Sequence, residues 1–291
     1  MQRVAMIGTQ LIHTYPYAVY FNGCDVGLFK ANAKPWMAAM YGDESPPQVS
    51  QNLRLTHVWG GDPAEARKLA EACHIDTIAA NFDDMVDAVD AVMVMDENIY
   101  ERARLARPYV EAGKAVYIDK IISLEPVETA NMLEVAAAKG GRVAAWSQLR
   151  FAPGFEPVRQ MSRGGVAAAT FRLNLDMLPA YAIHLISAVQ GVFGHGATPQ
   201  VIYGRSRGPQ ILLGYPDGTS VLLRISPEAP AQWNIYYAAR EGTWAGGAGS
   251  SRVMFDRSAA AIEAMVVDGR ETVTPDDMVE STKLVQLMCV H

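Results

Sequence analysis

The 291-residue chain is half apolar, 19% charged and carries a net charge of −6, a composition that excludes disordered and fibrous classes. That length exceeds the size at which single cores stop growing, so two domains with one core each are expected. The charge is spread without blocks and forms no basic stripe, which excludes nucleic acid as a partner.

Met1 leads straight into Arg3 to Gly8 (RVAMIG), an apolar run closed by glycine that reads as a buried parallel strand meeting a turn. No signal-peptide pattern precedes it, and a cytoplasmic protein is expected. The stretch from His13 to Asn52 is longer than one crossover helix needs and holds Tyr15, Tyr17, Tyr20, Phe21, Trp36 and Tyr41; these aromatics either line a pocket or pack in the core. Leu53 to Trp59 is a second strand. Asp62-Pro63-Ala64-Glu65 then reads as an N-cap, a first-position proline and a capping-box glutamate opening a helix to about Cys73. A short apolar stretch at Thr77 to Ala80, a strand at Ala91 to Met95, a helix from about Ile99 to Glu111 and a strand at Lys114 to Ile118 follow. Pro126 to Lys139 is a helix ended by Gly140-Gly141, and Arg142 to Ser147 another strand. This alternation predicts an α/β, Rossmann-type doubly wound parallel sheet over residues 1–122, with 142–149 returning as its last strand.

After Arg150, strand-like runs at Gln210 to Tyr215, Thr219 to Ser226 and Trp233 to Ala239 are joined by turns, with Asp217-Gly218 as a hairpin signal. Residues 123–291 therefore read as an α+β domain with a mainly antiparallel open sheet and helices at Ala180 to Phe193 and near Ala259 and Met278. Its sheet face predicts a homodimer or homotetramer. No apolar run reaches the roughly 18 to 20 residues of a membrane helix, so no membrane partner is expected. Cys24, Cys73 and Cys289 are far apart and odd in number, which gives neither a disulfide framework nor a metal site.

A dinucleotide would sit at the first strand-to-helix turn, where glycine lets the backbone and the helix terminus approach the pyrophosphate. Gly8 supplies the first glycine of G-x-G-x-x-G, but Gln10 and His13 stand at the second and third positions. The segment from Asp90 to Arg150 adds more. Ala112-Gly113-Lys114-Ala115-Val116-Tyr117-Ile118-Asp119-Lys120 resembles the AGK-hydrophobic-EKP passage of the glucose-fructose oxidoreductase and inositol dehydrogenase (Gfo/Idh/MocA) family. Leu149-Arg150-Phe151-Ala152-Pro153 is similar to its RF-x-P element, and His184 before Gly191 to its H-x-x-D-x-x-x-x-x-G element in outline. Gly269 to Asp277 is similar to the turn before its last helix.

The resemblance implies an NAD(P)-dependent oxidoreductase that passes hydride between nicotinamide (NAD or NADP) and a hydroxyl-bearing carbon of a sugar, polyol or sugar acid. It implies that Lys120 and His184 handle the hydroxyl proton, with Tyr181, one turn before His184, as a third candidate. Gly8, Gln10, His13, Gly60, Asp96, Asp119 and Lys120 are the implied cofactor contacts. The departures are specific. Ile121 replaces the proline after the lysine, Ala180 replaces an aspartate before the histidine, and Asp96-Glu97 would crowd a pyrophosphate unless they point away. The second strand ends in Trp59-Gly60-Gly61 where an acidic residue would select NAD, so the two cofactors stay open. A non-redox or internally redox lyase or epimerase, and a binding protein without cofactor, stay open as well.

Overall fold

The computed structural model describes residues 1–10, 12–41, 50–202, 208–229 and 232–289. One sheet is built from β1 (Gln2–Ile7), β2 (Leu53–Trp59), β3 (Thr77–Ile78), β4 (Ala91–Val94), β5 (Ala115–Asp119) and β6 (Arg142–Trp146), in the order β3-β2-β1-β4-β5-β6. β1 pairs in parallel with β2 and with β4, β2 with β3, and β4 with β5. This is the Rossmann order, and its reversal point lies between β1 and β4. The strands are apolar runs because helices cover both faces: α1 (Thr14–Asn22), α2 (Val26–Asn32), α3 (Pro35–Tyr41), α4 (Pro63–Ala72), α5 (Arg102–Glu111) and α6 (Pro126–Ala138). The Asp62 carboxylate caps α4 through the Ala64 N–H at 2.8 Å, with Pro63 inside the first turn.

The aromatic insertion folds as α1 to α3 and packs inward. Tyr15, Tyr17, Tyr20, Phe21 and Tyr41 are buried, with Phe29 edge-on to Tyr15 and Tyr41, and only Trp36 is substantially exposed at 44%. Residues 42–49 of that stretch lie outside the described residues.

The second sheet contains β7 (Val166–Arg172), β8 (Thr198–Ile202), β9 (Gln210–Gly214), β10 (Ser220–Ser226), β11 (Trp233–Ala239) and β12 (Gly242–Gly247), in the order β12-β11-β7-β10-β9-β8. All its pairings are antiparallel except β7 with β10. The Asp217-Gly218 turn closes β9 onto β10, with Gly218 at φ 86° and the Tyr215 N–H donating to the Thr219 carbonyl at 2.8 Å. Ile211, Leu213, Val221, Leu223 and Ile225 form its buried face. The helices of this half are α7 (Glu156–Arg159), α8 (Leu178–Phe193), α9 (Ser251–Asp268) and α10 (Pro275–Cys289).

Two compact units emerge, and the chain passes between them more often than a boundary at residues 122 and 123 allows. One holds Met1–Ser123, Ala130–Ala145 and Phe255–Val273; the other holds Leu124–Thr129, Trp146–Met254 and the residues from Thr274 on. A second correction concerns apolar length. Leu175–Phe193 does reach the length and apolar character of a spanning helix. It reads as a core helix, because most of α8 from Ala182 to Gln190 is buried.

Candidate active site

The turn after β1 begins at Gly8, whose φ of 94° only glycine adopts freely. A Cβ there would stand 2.6 Å from the Asp96 nitrogen and 2.8 Å from its Cα. Gly8 therefore lets the ends of β1 and β4 close together at the reversal point, where open α/β sheets bind ligands. Gln10 is exposed on the rim of this turn. Gly60, buried at the end of β2, faces Thr9: a Cβ would lie 2.4 Å from the Thr9 Oγ1, a buried hydroxyl with no hydrogen-bond partner among the described residues. Asp62 is engaged as the α4 cap, so the end of β2 offers glycine backbone and no carboxylate.

The loop after β4 resolves the crowding expected at Asp96. Its carboxylate turns back to the Asn98 N–H at 2.8 Å, the Asn98 side chain takes the Tyr100 N–H at 3.1 Å, and Glu97 is exposed. These two Asx turns delay α5, which starts at Arg102, three residues after its expected start. The Asp96 carbonyl accepts from the Arg102 Nε at 2.8 Å. The Arg102 side chain is fully buried, and among the described residues neither Nη1 nor Nη2 has a hydrogen-bond partner.

At the end of β5, Asp119 and His13 turn toward each other. The His13 Nδ1 lies 3.0 Å from Asp119 Oδ2 and 3.2 Å from Oδ1, and the Tyr117 hydroxyl donates to Oδ1 at 3.3 Å. Burial would raise the Asp119 carboxyl, but His13, Lys120 and Arg102 together hold it well below the usual range. Burial lowers His13, against the pull of Asp119. A carboxylate only accepts, so the His13 Nδ1–H is the donor of the pair. Both residues, expected as cofactor contacts, bind one another, so the His13 ring at its glycine position has a buried partner. The chain of hydroxyls continues from Tyr117 to Tyr17 at 3.2 Å and from Tyr17 to Ser258 at 2.7 Å.

Lys120 follows at once, 3% exposed, at φ 77°. Such a backbone is uncommon for a side chain with a Cβ and marks a position held by its surroundings. The Ile121 N–H donates to the Asp119 carbonyl at 3.2 Å, the i to i+2 bond of a γ-turn centred on Lys120. Proline could not make that bond. Ile121, buried at 2%, thus replaces a ring restraint by a hydrogen bond. Burial lowers Lys120 to about 8, Asp119 opposing and Arg102 assisting.

His184 lies on α8 in the other unit, 3% exposed. Its Nδ1 meets the Ser147 Oγ at 2.5 Å, and the Ser147 N–H donates to the Ser187 Oγ at 3.2 Å. The Tyr181 ring is 5.5 Å away and tilted, and Trp233 lies edge-on at 5.3 Å while stacking on Phe171. Ser147 thus partners the ring where Ala180 offers nothing. Sequence reasoning missed two residues. Ser147 ends a strand without a motif. Arg102 reads as a helix-surface cation, though a positive charge in a first turn opposes the helix dipole and was the available signal.

Three features around the end of β1 suit a dinucleotide: the Gly8 close approach, the Thr9 hydroxyl and the two Arg102 Nη atoms, the latter two without hydrogen-bond partners among the described residues. A Rossmann-type oxidoreductase with a second, mixed-sheet unit is the class these features define. Residues 3–146 match the model of the Gfo/Idh/MocA oxidoreductase family with its NAD-binding Rossmann fold, and the chain belongs to that family. The fold is shared along nearly the whole length with myo-inositol 2-dehydrogenase from Lactobacillus plantarum (TM-score 0.72, 12% identity, 98% of this chain and 95% of that one). It is shared with scyllo-inositol dehydrogenase from Lactobacillus casei (0.70, 13%, 100% and 95%) and with GenD2 of gentamicin A biosynthesis in complex with NAD (0.69, 15%, 98% and 92%). Comparison with curated proteins by sequence finds no match.

Proposed function

We propose that the protein transfers hydride between NAD or NADP and a hydroxyl-bearing carbon of a sugar, polyol or sugar acid, with Lys120 as its principal acid-base group. The observation that carries this is Lys120 itself: a buried amine on a constrained turn at the end of β5, lowered to about 8. A group near neutrality on a fixed backbone can take or return a hydroxyl proton, typically contributing about 10²- to 10⁴-fold. The bound nicotinamide would supply the hydride chemistry. Gly8 and Gly60 would admit its dinucleotide to the backbone, and the Asp96 loop keeps its carboxylate out of the way. His184, oriented by Ser147, is the second acid-base group and Tyr181 a third, weaker one. The inositol dehydrogenases among its structural neighbours favour a polyol-like substrate.

The test has two stages. Titration with NADH and NADPH, followed by quenching of the five tryptophans, asks for cofactor binding; binding of neither removes the reading. Polyols and sugar acids are then screened with the cofactor that binds. We further propose self-association of two copies through the open face of the second sheet, where Leu212, Leu222, Ala168 and Tyr236 lie in register across four strands and none is buried. Sedimentation of the wild type as a monomer at micromolar concentration would overturn this.

A further inference from the structure

We infer that Arg102 is the anion anchor of this chain, holding the diphosphate of the dinucleotide in place of contacts that the altered glycine turn cannot make. The inference rests on the cofactor reading above and says how that cofactor is held.

The altered turn sets the problem. Gln10 puts a side chain where a glycine would let a diphosphate reach the backbone, and His13 commits its ring to Asp119. Helix α1 offers less than usual, because Pro16 in its first turn has no N–H to give. An anion near this turn therefore lacks part of its ordinary donor set.

Arg102 has the complementary deficit. Its Nε is fixed on the Asp96 carbonyl at 2.8 Å, on the segment that Gly8 approaches most closely. Among the described residues its buried Nη1 and Nη2 have no hydrogen-bond partner, and neither has the buried Thr9 hydroxyl in the turn itself. A fully buried guanidinium with two unpartnered nitrogens costs free energy unless something occupies its fork. Neighbouring acids do not fill that role. The Asp96 carboxylate is bound to Asn98, the Asp119 carboxylate to His13 and Tyr117, and Glu97 faces solvent. Two parallel N–H donors in a fixed plane suit two phosphate oxygens. The place is also right, since the anchor stands beside the β1–β4 reversal.

The test measures binding of NADH, without substrate, to wild type, Arg102→Met and Arg102→Lys, together with the melting temperature of each protein free of cofactor. Arg102→Met should weaken NADH binding roughly tenfold or more, and Arg102→Lys should recover part of the loss, since a point charge lacks the fork. The cofactor-free melting temperature of Arg102→Met should equal or exceed that of wild type, because an unpaired buried cation has been removed. Wild-type affinity in Arg102→Met would overturn the inference, as would a lower melting temperature with unchanged affinity, the mark of a structural arginine. A rise confined to the KM of a sugar-acid substrate would overturn it too, by assigning the anion to the substrate. If the wild type binds neither NADH nor NADPH, the cofactor reading itself fails, and this is told apart from binding that ignores Arg102.

Discussion

Lys120 and His184 are equally buried, yet their surroundings are built on opposite principles. Lys120 stands in a charged network: Asp119 beside it, His13 on Asp119, and Arg102 within electrostatic reach. His184 meets the Ser147 hydroxyl through its Nδ1, with the rings of Tyr181 and Trp233 beside it. Charges shift a lysine by several kcal/mol at short range, whereas a hydroxyl mainly fixes a ring's direction. On the proposed reading, one unit would tune a proton affinity and the other would aim a group.

That contrast predicts unequal losses. Lys120→Ala should lower turnover by about 10²- to 10⁴-fold, the range for a positioned acid-base group, and by more than His184→Ala. Steady-state kinetics on a substrate found by screening checks it, and near-normal turnover in Lys120→Ala would remove the assignment. Cofactor affinity should change little in either variant.

The charges buried in the second unit fasten structure. Arg150 Nη2 meets Asp277 Oδ1 at 3.2 Å, and Asp277 closes a reciprocal cap with Thr274 at the start of α10. Asp277→Ala strands a mostly buried guanidinium and uncaps the helix, so about 3 kcal/mol of stability should be lost. Denaturant unfolding measures this. The loss should appear with no change in the pH profile of catalysis, in contrast to substitutions around Lys120.

Those substitutions should move a titration. With Lys120 at about 8, oxidation of an alcohol needs the neutral amine, so kcat/KM should rise with pH and level off above about 8. Reduction needs the ammonium and should fall over the same range. Asp119 raises Lys120, so Asp119→Asn should shift the inflection to lower pH. The sign for stability runs in parallel. Unfolded lysine, near 10.5, binds its proton more tightly than the folded site, so burial penalises folding fully below about 8 and the penalty fades as pH rises toward 10.5. An inflection unmoved in Asp119→Asn would show that the network does not tune Lys120.

Much of this was legible in the chain because it depends on local pattern. The apolar runs at β1, β2, β4 and β5 announced a parallel sheet, and the capping residues at Asp62 announced α4. β7 and β12 escaped notice because VAAATFR is rich in a helix-forming residue and GTWAGG in glycine, so their strand character comes from neighbours in the sheet. Lys120 was readable from its motif. The roles of His13, Asp119 and Ser147 were not, since each depends on a partner distant in sequence: 106 residues separate His13 from Asp119, and 37 separate Ser147 from His184. The histidine at the third glycine position is one half of a buried pair.

The smallest effect should come from Ser147, and it separates aiming from tuning most directly. The Ser147 Oγ meets His184 Nδ1 at 2.5 Å and also accepts the Leu149 N–H at 3.2 Å, capping the short 3-10 turn that follows β6. Ser147→Ala removes one neutral hydrogen bond from the ring, so turnover should fall only about two- to tenfold. Because no charge is lost, the pH inflection assigned to Lys120 should stay in place while kcat drops. Ser147→Thr keeps the hydroxyl and should recover most of the rate. If Ser147→Ala instead displaced the inflection, His184 would be part of the titrating machinery, and the division between a tuning unit and an aiming unit would fail.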